Sequence, residues 1–134
     1  RHVHVDCAIS PEQALRATGR NQYVVDSVVM AMPKAERGEA EIFFVKRGCH
    51  TSDDDWDKHL DSLGFKSCDP VTLCKLNEDD PAFADKHPNV THWKDADDNW
   101  CYAAFARGCG GHDVGVDCVD RDWPGHWWFA CVRK

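Results

Sequence analysis

The segment that most constrains the fold is the last one, Trp127-Trp128-Phe129-Ala130-Cys131-Val132-Arg133. Strand alternation puts Trp127, Phe129 and Cys131 on one face and Trp128, Ala130 and Val132 on the other. A sheet covered on one side cannot bury both sets. Either helices cover both faces, or some indole rings remain outside as a recognition surface. Trp93, Trp100, Trp123, Trp127 and Trp128 are five of the six tryptophans. All five are candidate surface residues, against a core role that most of them are expected to fill.

The rest of the chain supplies both helices and strands. Val3, Val5 and Cys7 alternate with His2, His4 and Asp6 as a short strand. Ser10-Pro11-Glu12-Gln13 opens a helix with a capping box and a proline at its first position, and Gly19 stops it. Residues 21–32 fit a helix by spacing and a strand by their β-branched content. Glu41-Ile42-Phe43-Phe44-Val45 is apolar on both faces and is expected as a central strand, within 40–46. Thr51-Ser52-Asp53-Asp54-Asp55 starts a helix whose carboxylates suit its positive end. Trp56, Leu60 and Leu63 form its apolar stripe, and Gly64 ends it. Asp69-Pro70 and Asp80-Pro81 open two further helices. Residues 91–105 read as a hairpin around a polar turn, followed by strands at 114–119 and 127–133. Segregated helices and strands predict a single α+β domain over 1–134, an antiparallel sheet packed with three or four short helices.

With 134 residues and 43% hydrophobic content, the chain is sized for one core. Its net charge of −7 resides in the middle, where residues 51–99 hold thirteen Asp/Glu and five Lys/Arg. No basic stripe is available for phosphates, so nucleic acid is not an expected partner. No apolar run reaches the roughly 20 residues of a membrane helix. The chain does not begin with Met, which leaves room for a removed leader and for secretion.

Eight cysteines are present, Cys7, Cys49, Cys68, Cys74, Cys101, Cys109, Cys118 and Cys131, with no CxxC pair among them. Several occupy positions suited to small buried hydrophobes. The pattern leans towards reduced thiols in a cytoplasmic protein; disulfides and a metal site are the alternatives. The even count and the sequon Asn89-Val90-Thr91 favour disulfides and export. His2 and His4 on one strand face, with Cys109 and His112 across a glycine pair, make a candidate zinc set. Asp95, Asp97 and Asn99 have calcium-loop spacing, but Trp100 replaces the turn glycine and Ala106 the closing Glu, so a hairpin turn is expected. Cys49-His50 is the nearest approach to a nucleophile pair, and adjacent side chains diverge on an extended segment. No hydrolase, phosphate-loop, zinc-protease or nucleotide motif occurs, so no catalytic residue is assigned and enzymatic activity is not the expected role.

Asn77-Glu78-Asp79-Asp80-Pro81-Ala82-Phe83-Ala84-Asp85, Thr91-His92-Trp93-Lys94-Asp95, Asn99-Trp100-Cys101-Tyr102-Ala103-Ala104-Phe105 and the closing Trp127–Lys134 resemble small uncharacterised proteins of bacteriophages and bacterial prophages. The resemblance covers the C-terminal half. It implies a cytoplasmic accessory protein that acts by protein–protein interaction and carries no catalytic residues to transfer. Residues 107–118 depart from the pattern in their extra cysteines and glycines. The last strands are also similar to the final hairpin of C-type-lectin-like domains, without that family's calcium and sugar motifs. This second likeness motivates a glycan-binding alternative through exposed tryptophans. A zinc-binding protein or small metal-dependent enzyme is the third.

Overall fold

The structure, a computed structural model, describes residues 1–108 and 110–134. In chain order the elements are β1 (His2–His4), α1 (Pro11–Ala17), β2 (Asn21–Val24), α2 (Asp26–Met30), β3 (Glu39–Glu41), β4 (Phe43–Val45), β5 (Thr51–Ser52) and α3 (Asp53–Ser62). They continue with β6 (Phe65–Ser67), α4 (Pro70–Asp79), α5 (Phe83–Lys86), β7 (Asn89–Lys94), β8 (Trp100–Gly108), β9 (Gly111–Asp117), β10 (Asp122–Trp123) and β11 (Trp128–Arg133). The fold is α+β. Its main sheet has seven strands in the order β2-β9-β8-β7-β11-β4, with β6 also paired to β11. Two short ladders, β1 with β3 and β5 with β10, flank it.

Local chemistry starts the helices where the sequence indicates. Ser10 Oγ accepts from Gln13 N and Ser10 N donates in return to Gln13 Oε1, completing the capping box. Ser52 Oγ caps α3 through Asp55 N, and Asp69 Oδ1 caps α4 through Thr72 N. Gly19 and Gly64, at φ +68° and +81°, take the left-handed conformation that ends α1 and α3.

Of the two outcomes that its alternation allows, the closing strand takes the covered one. Ala130 and Val132 face a core with Leu15, Val71, Leu73, Leu76, Phe105 and Val114. Phe129, Cys131 and Trp127 face a second core with Trp56, Leu60, Val90 and Trp123. Helices α1, α2 and α4 supply the first layer and α3 the second, so both faces are covered.

Three expectations are corrected, and one open reading is settled. The apolar run 41–45 is not central: it breaks at buried Ile42 into β3 and β4, and β4 is the outer strand beyond β11. All three β4 residues are half-buried, whereas Phe129, Ala130 and Cys131 are fully buried, so β11 takes the inner place. The sheet is mixed, because β2 pairs β9 and β7 pairs β11 in parallel. Residues 21–32 divide into a strand and then a helix, which accounts for their double signal. Leu63 stands outside the α3 stripe, 49% exposed at the helix end.

The cysteines also separate. Cys101 and Cys118 are joined by a disulfide across β8 and the end of β9, so the lean towards eight reduced thiols does not hold for this pair. Among the described residues Cys7 and Cys49 are free and exposed, while Cys68, Cys74 and Cys131 are free and buried. Burial pushes all three buried thiols up, Cys131 to about 12, so they pack as protonated hydrophobes. Asn89 is fully buried and its amide pairs with that of Asn77, so the sequon cannot accept a glycan in the folded chain. Alkylation of the native protein, mapped by mass spectrometry, should modify Cys7 and Cys49 and spare Cys68, Cys74 and Cys131 until unfolding. Replacing both Cys101 and Cys118 by Ser should cost about 3 kcal/mol in denaturant titration, from the 17-residue separation they bridge.

Candidate functional site

The densest polar cluster surrounds Asp53, the first residue of α3 and only 3% exposed. His92 Nδ1 lies 2.8 Å from Asp53 Oδ1, and Trp123 Nε1 donates to the same oxygen at 2.8 Å. Arg121 N donates to Oδ2 at 3.1 Å. Burial works to raise the Asp53 pKa, but these donors overcome it and hold the carboxyl below its usual range. An ionised carboxylate only accepts, so His92 Nδ1 carries the proton of their shared bond. The imidazole stacks on Trp100, centroids 4.2 Å apart, and meets Phe129 edge-on at 5.2 Å. Trp100 Nε1 in turn donates to Asp54 at 2.9 Å.

His92 stands beside a split in the sheet. Strand β11 pairs with β7 at Trp128 and Phe129, then with β6 from Cys131 onward. Strands β6 and β7 therefore meet along the same edge of β11 and diverge there. Thr91 Oγ1 donates to Cys68 O across the divergence. Since β6 is antiparallel and β7 parallel to β11, the two run antiparallel to each other. Ser67 shares the α3-facing side with its partner Cys131, and His92 shares it with Val90. A cleft of about 390 Å³ opens at the split and is lined by Ser67, His92, Trp100, Asp57 and Lys94 among others. Ser67 Oγ and His92 Nε2 are both buried without a hydrogen-bond partner.

Most of the side chains proposed from sequence do not come together. Trp123 is fully buried and Trp100 is 8% exposed, so neither belongs to a binding surface; their indole N–H groups are spent on Asp53 and Asp54. Trp93, Trp127 and Trp128 are half-buried. Trp93 packs against the first core and Trp127 against the second, on opposite sides of the sheet, so they make no common platform. His2 and His4 sit on β1, where His2 Nε2 contacts Glu41 at 3.2 Å. His112 Nε2 contacts Asp85 at 3.0 Å. Cys109 lies outside the described residues. Among the described residues the one cluster of three metal-type ligands is Asp95, Cys101 and Cys118, and its sulfurs are joined to each other. Asp95 Oδ1 accepts from Asp97 N and Asn99 N, which is the hairpin turn expected in place of a calcium loop.

A second place lies at the other end of the sheet. Strand β2 is its outermost strand and, among the described residues, is bonded to β9 on one side only. Val25 N donates to Val116 O, so the odd-numbered residues direct their backbone groups to β9, and Gln22 and Val24 direct theirs outward. Alongside runs a groove of about 480 Å³ between α1 and α2, lined by Leu15, Gln22, Val24, Val29 and Met30 among others. Tyr23, Val25 and Met30 are 62%, 41% and 87% exposed.

Sequence reasoning missed Asp53, His92 and Ser67. Asp53 carries the same helix-start signature as its exposed neighbours Asp54 and Asp55. The usable signal was His92, two residues from Val90 on an apolar strand face, where a buried imidazole demands a polar partner.

Asp53→Ala should destabilise the protein by about 3–5 kcal/mol, because it strands the buried imidazole, indole and amide donors. The folded pKa of Asp53 is depressed, so its contribution is present above the unfolded value of about 3.9 and is lost as pH falls through the lower folded value. Thermal melts from pH 6 to 2 should show Asp53→Asn with a weaker acid dependence than the parent.

Comparison with known proteins identifies no relative: no protein-family model, no curated protein and no solved structure matches the chain, and the site is interpreted from its own geometry.

Proposed function

We propose that the chain is an accessory protein of the bacteriophage or prophage kind that binds a protein partner along the open edge of β2. One observation carries the reading: Gln22 and Val24 present unpaired backbone groups beside a groove flanked by exposed Tyr23 and Met30. Outer strands usually carry devices against pairing, such as lysine, proline or bulges. Asn21-Gln22-Tyr23-Val24 has neither lysine nor proline. The other outer strand, β4, runs straight into Lys46 and Arg47. An extended segment added to β2 would take its affinity from main-chain bonds and its selectivity from side chains entering the groove. The groove walls hold the Glu12–Arg16 ion pair and Asp26, so a partner strand with an apolar residue facing Met30 fits better than a highly charged one.

The test uses a photo-crosslinking residue at Met30, with one at exposed Lys58 on α3 as the control site, in bacterial lysate. A discrete adduct from position 30 alone is expected. Val24→Pro removes an outward N–H without breaking a bond to β9, and should weaken that association roughly fivefold, the worth of about one hydrogen bond. Equal adducts from both positions, or an adduct indifferent to Val24→Pro in a variant that keeps its circular dichroism, would refute the edge as the binding site. An adduct between two copies of the chain would replace the foreign partner with self-association.

A further inference from the structure

We propose that Cys101 and Cys118, once their bridge is reduced, bind a zinc ion together with Asp95, so that the end of the β8–β9 ladder is a redox-gated metal site. The site shares no residue with the β2 edge and does not rest on it.

Strand register brings the donors together. Strands β8 and β9 pair antiparallel from Gly108 and Gly111 to Tyr102 and Asp117, and the next opposed pair in that register is Cys101 with Cys118. Their sulfurs therefore meet on one face at the end of the ladder. The hairpin between β7 and β8 carries Asp95 to the same place. Asp95 Oδ1 accepts from Asp97 N and Asn99 N, each at 2.9 Å. Its Oδ2 has no N–H or O–H donor among the described residues and lies 3.9 Å from Cys101 Sγ. One ligand atom from each of the three residues falls within 4.8 Å of the other two. Cys101 is buried, while Asp95 and Cys118 are half-buried, so solvent and ions approach from the Asp95–Cys118 side.

The donor types select the ion. Two thiolates and a carboxylate are a zinc set, with Zn–S of about 2.3 Å, Zn–O of about 2.1 Å and water in the fourth position. Two thiolates on a tetrahedral ion stand about 3.8 Å apart, a spacing that opposed residues of a ladder reach once the bond between them is gone. Three anionic groups at this range repel one another, and a dication removes the repulsion. The turn needs only Oδ1, and a sulfur bridge needs no carboxylate beside it; a metal uses the pair and Oδ2 together.

The electrons balance with a dithiol as reductant. The dithiol gives two electrons to the bridge, the Cys101–Cys118 sulfur bond breaks, each sulfur takes up one of the dithiol's protons, and the dithiol closes into its own disulfide. Zinc then displaces both protons as the sulfurs bind as thiolates. The two strand ends are cross-linked in either state, through sulfur in one and through the ion in the other.

The experiment starts from the oxidised full chain. Iodoacetamide blocks the accessible thiols, a water-soluble phosphine then opens the bridge, and cobalt(II) is added as the spectroscopic stand-in for zinc. One equivalent should produce the visible bands of tetrahedral cobalt and a thiolate charge-transfer band in the near ultraviolet, and zinc should bleach both. The same protein without phosphine should show neither. Asp95→Asn keeps an acceptor for Asp97 N and Asn99 N, so bridge and fold should persist. Cobalt affinity of its reduced form should fall roughly tenfold or more, at least the loss that follows removal of an outer-shell partner. The double variant Cys101→Ser, Cys118→Ser, alkylated in the same way, should give no spectrum. If opening the bridge unfolds the chain, zinc should restore its circular dichroism. The site is overturned by no cobalt spectrum after reduction, by an equal spectrum in the unreduced protein or the double variant, or by an affinity unchanged in Asp95→Asn. An unfolded reduced chain that zinc does not restore would overturn it as well. None of these readouts depends on crosslinking at Met30, so the two readings can fail separately.

Discussion

A buried carboxylate at the start of one helix holds together the half of this molecule that lies on the α3 side of the sheet. Asp53 receives an imidazole from β7, an indole from β10 and a backbone amide from the segment before it. A bare carboxylate in that position would be costly, several kcal/mol in an apolar setting. Three donors and the positive end of α3 offset the cost. The result is directional: α3 can lie on the sheet only where His92 and Trp123 both reach Asp53. Stacking of Trp56 on Phe129 at 4.2 Å then fills the space the polar contacts have positioned.

The first core has a counterpart in Arg20, 4% exposed between α1 and β2. Its guanidinium donates to Ala106 O and Asp113 O at 3.2 Å and to Pro81 O at 2.9 Å, tying the helix layer to β8 and β9. Burial lowers its pKa, opposed by Asp85 and Asp113. Between these two anchors the sheet is not uniform. Its interior strands β8, β7 and β11 are buried on both faces, whereas β2 at one end is open and the β6–β7 junction is divided. Both candidate sites lie at such interruptions, where backbone or side-chain groups lack the partners that a continuous ladder supplies.

Much of the local structure was legible. Caps at Ser10, Ser52 and Asp69 came from short-range hydrogen bonding that a tetrapeptide already encodes. The two-faced burial of β11 came from alternation, and the hairpin at Asp95–Asn99 from its turn residues. Strand rank was not legible: Phe43-Phe44-Val45 looks more central than Asn89-Val90-Thr91-His92, yet β7 is interior and β4 is at the edge. Apolar content measures how much a strand gains from burial and says nothing of which neighbour arrives first along β11. The tryptophans misled for a related reason. Their clustering in sequence suggested a shared surface, but alternation and the two layers send them to different places.

By itself, then, the sequence determined the α+β class, the helix starts and stops, and the apolar character of both faces of the closing strand. Each rests on interactions within a few residues or on the period of the backbone. Tertiary structure alone decided that Asp53 is buried while Asp54 and Asp55 are exposed, that Asn89 is sealed against Asn77, and that His92 reaches Asp53. Those pairings join residues distant in the chain, through contacts whose free energy exists only once the sheet has brought the strands into register.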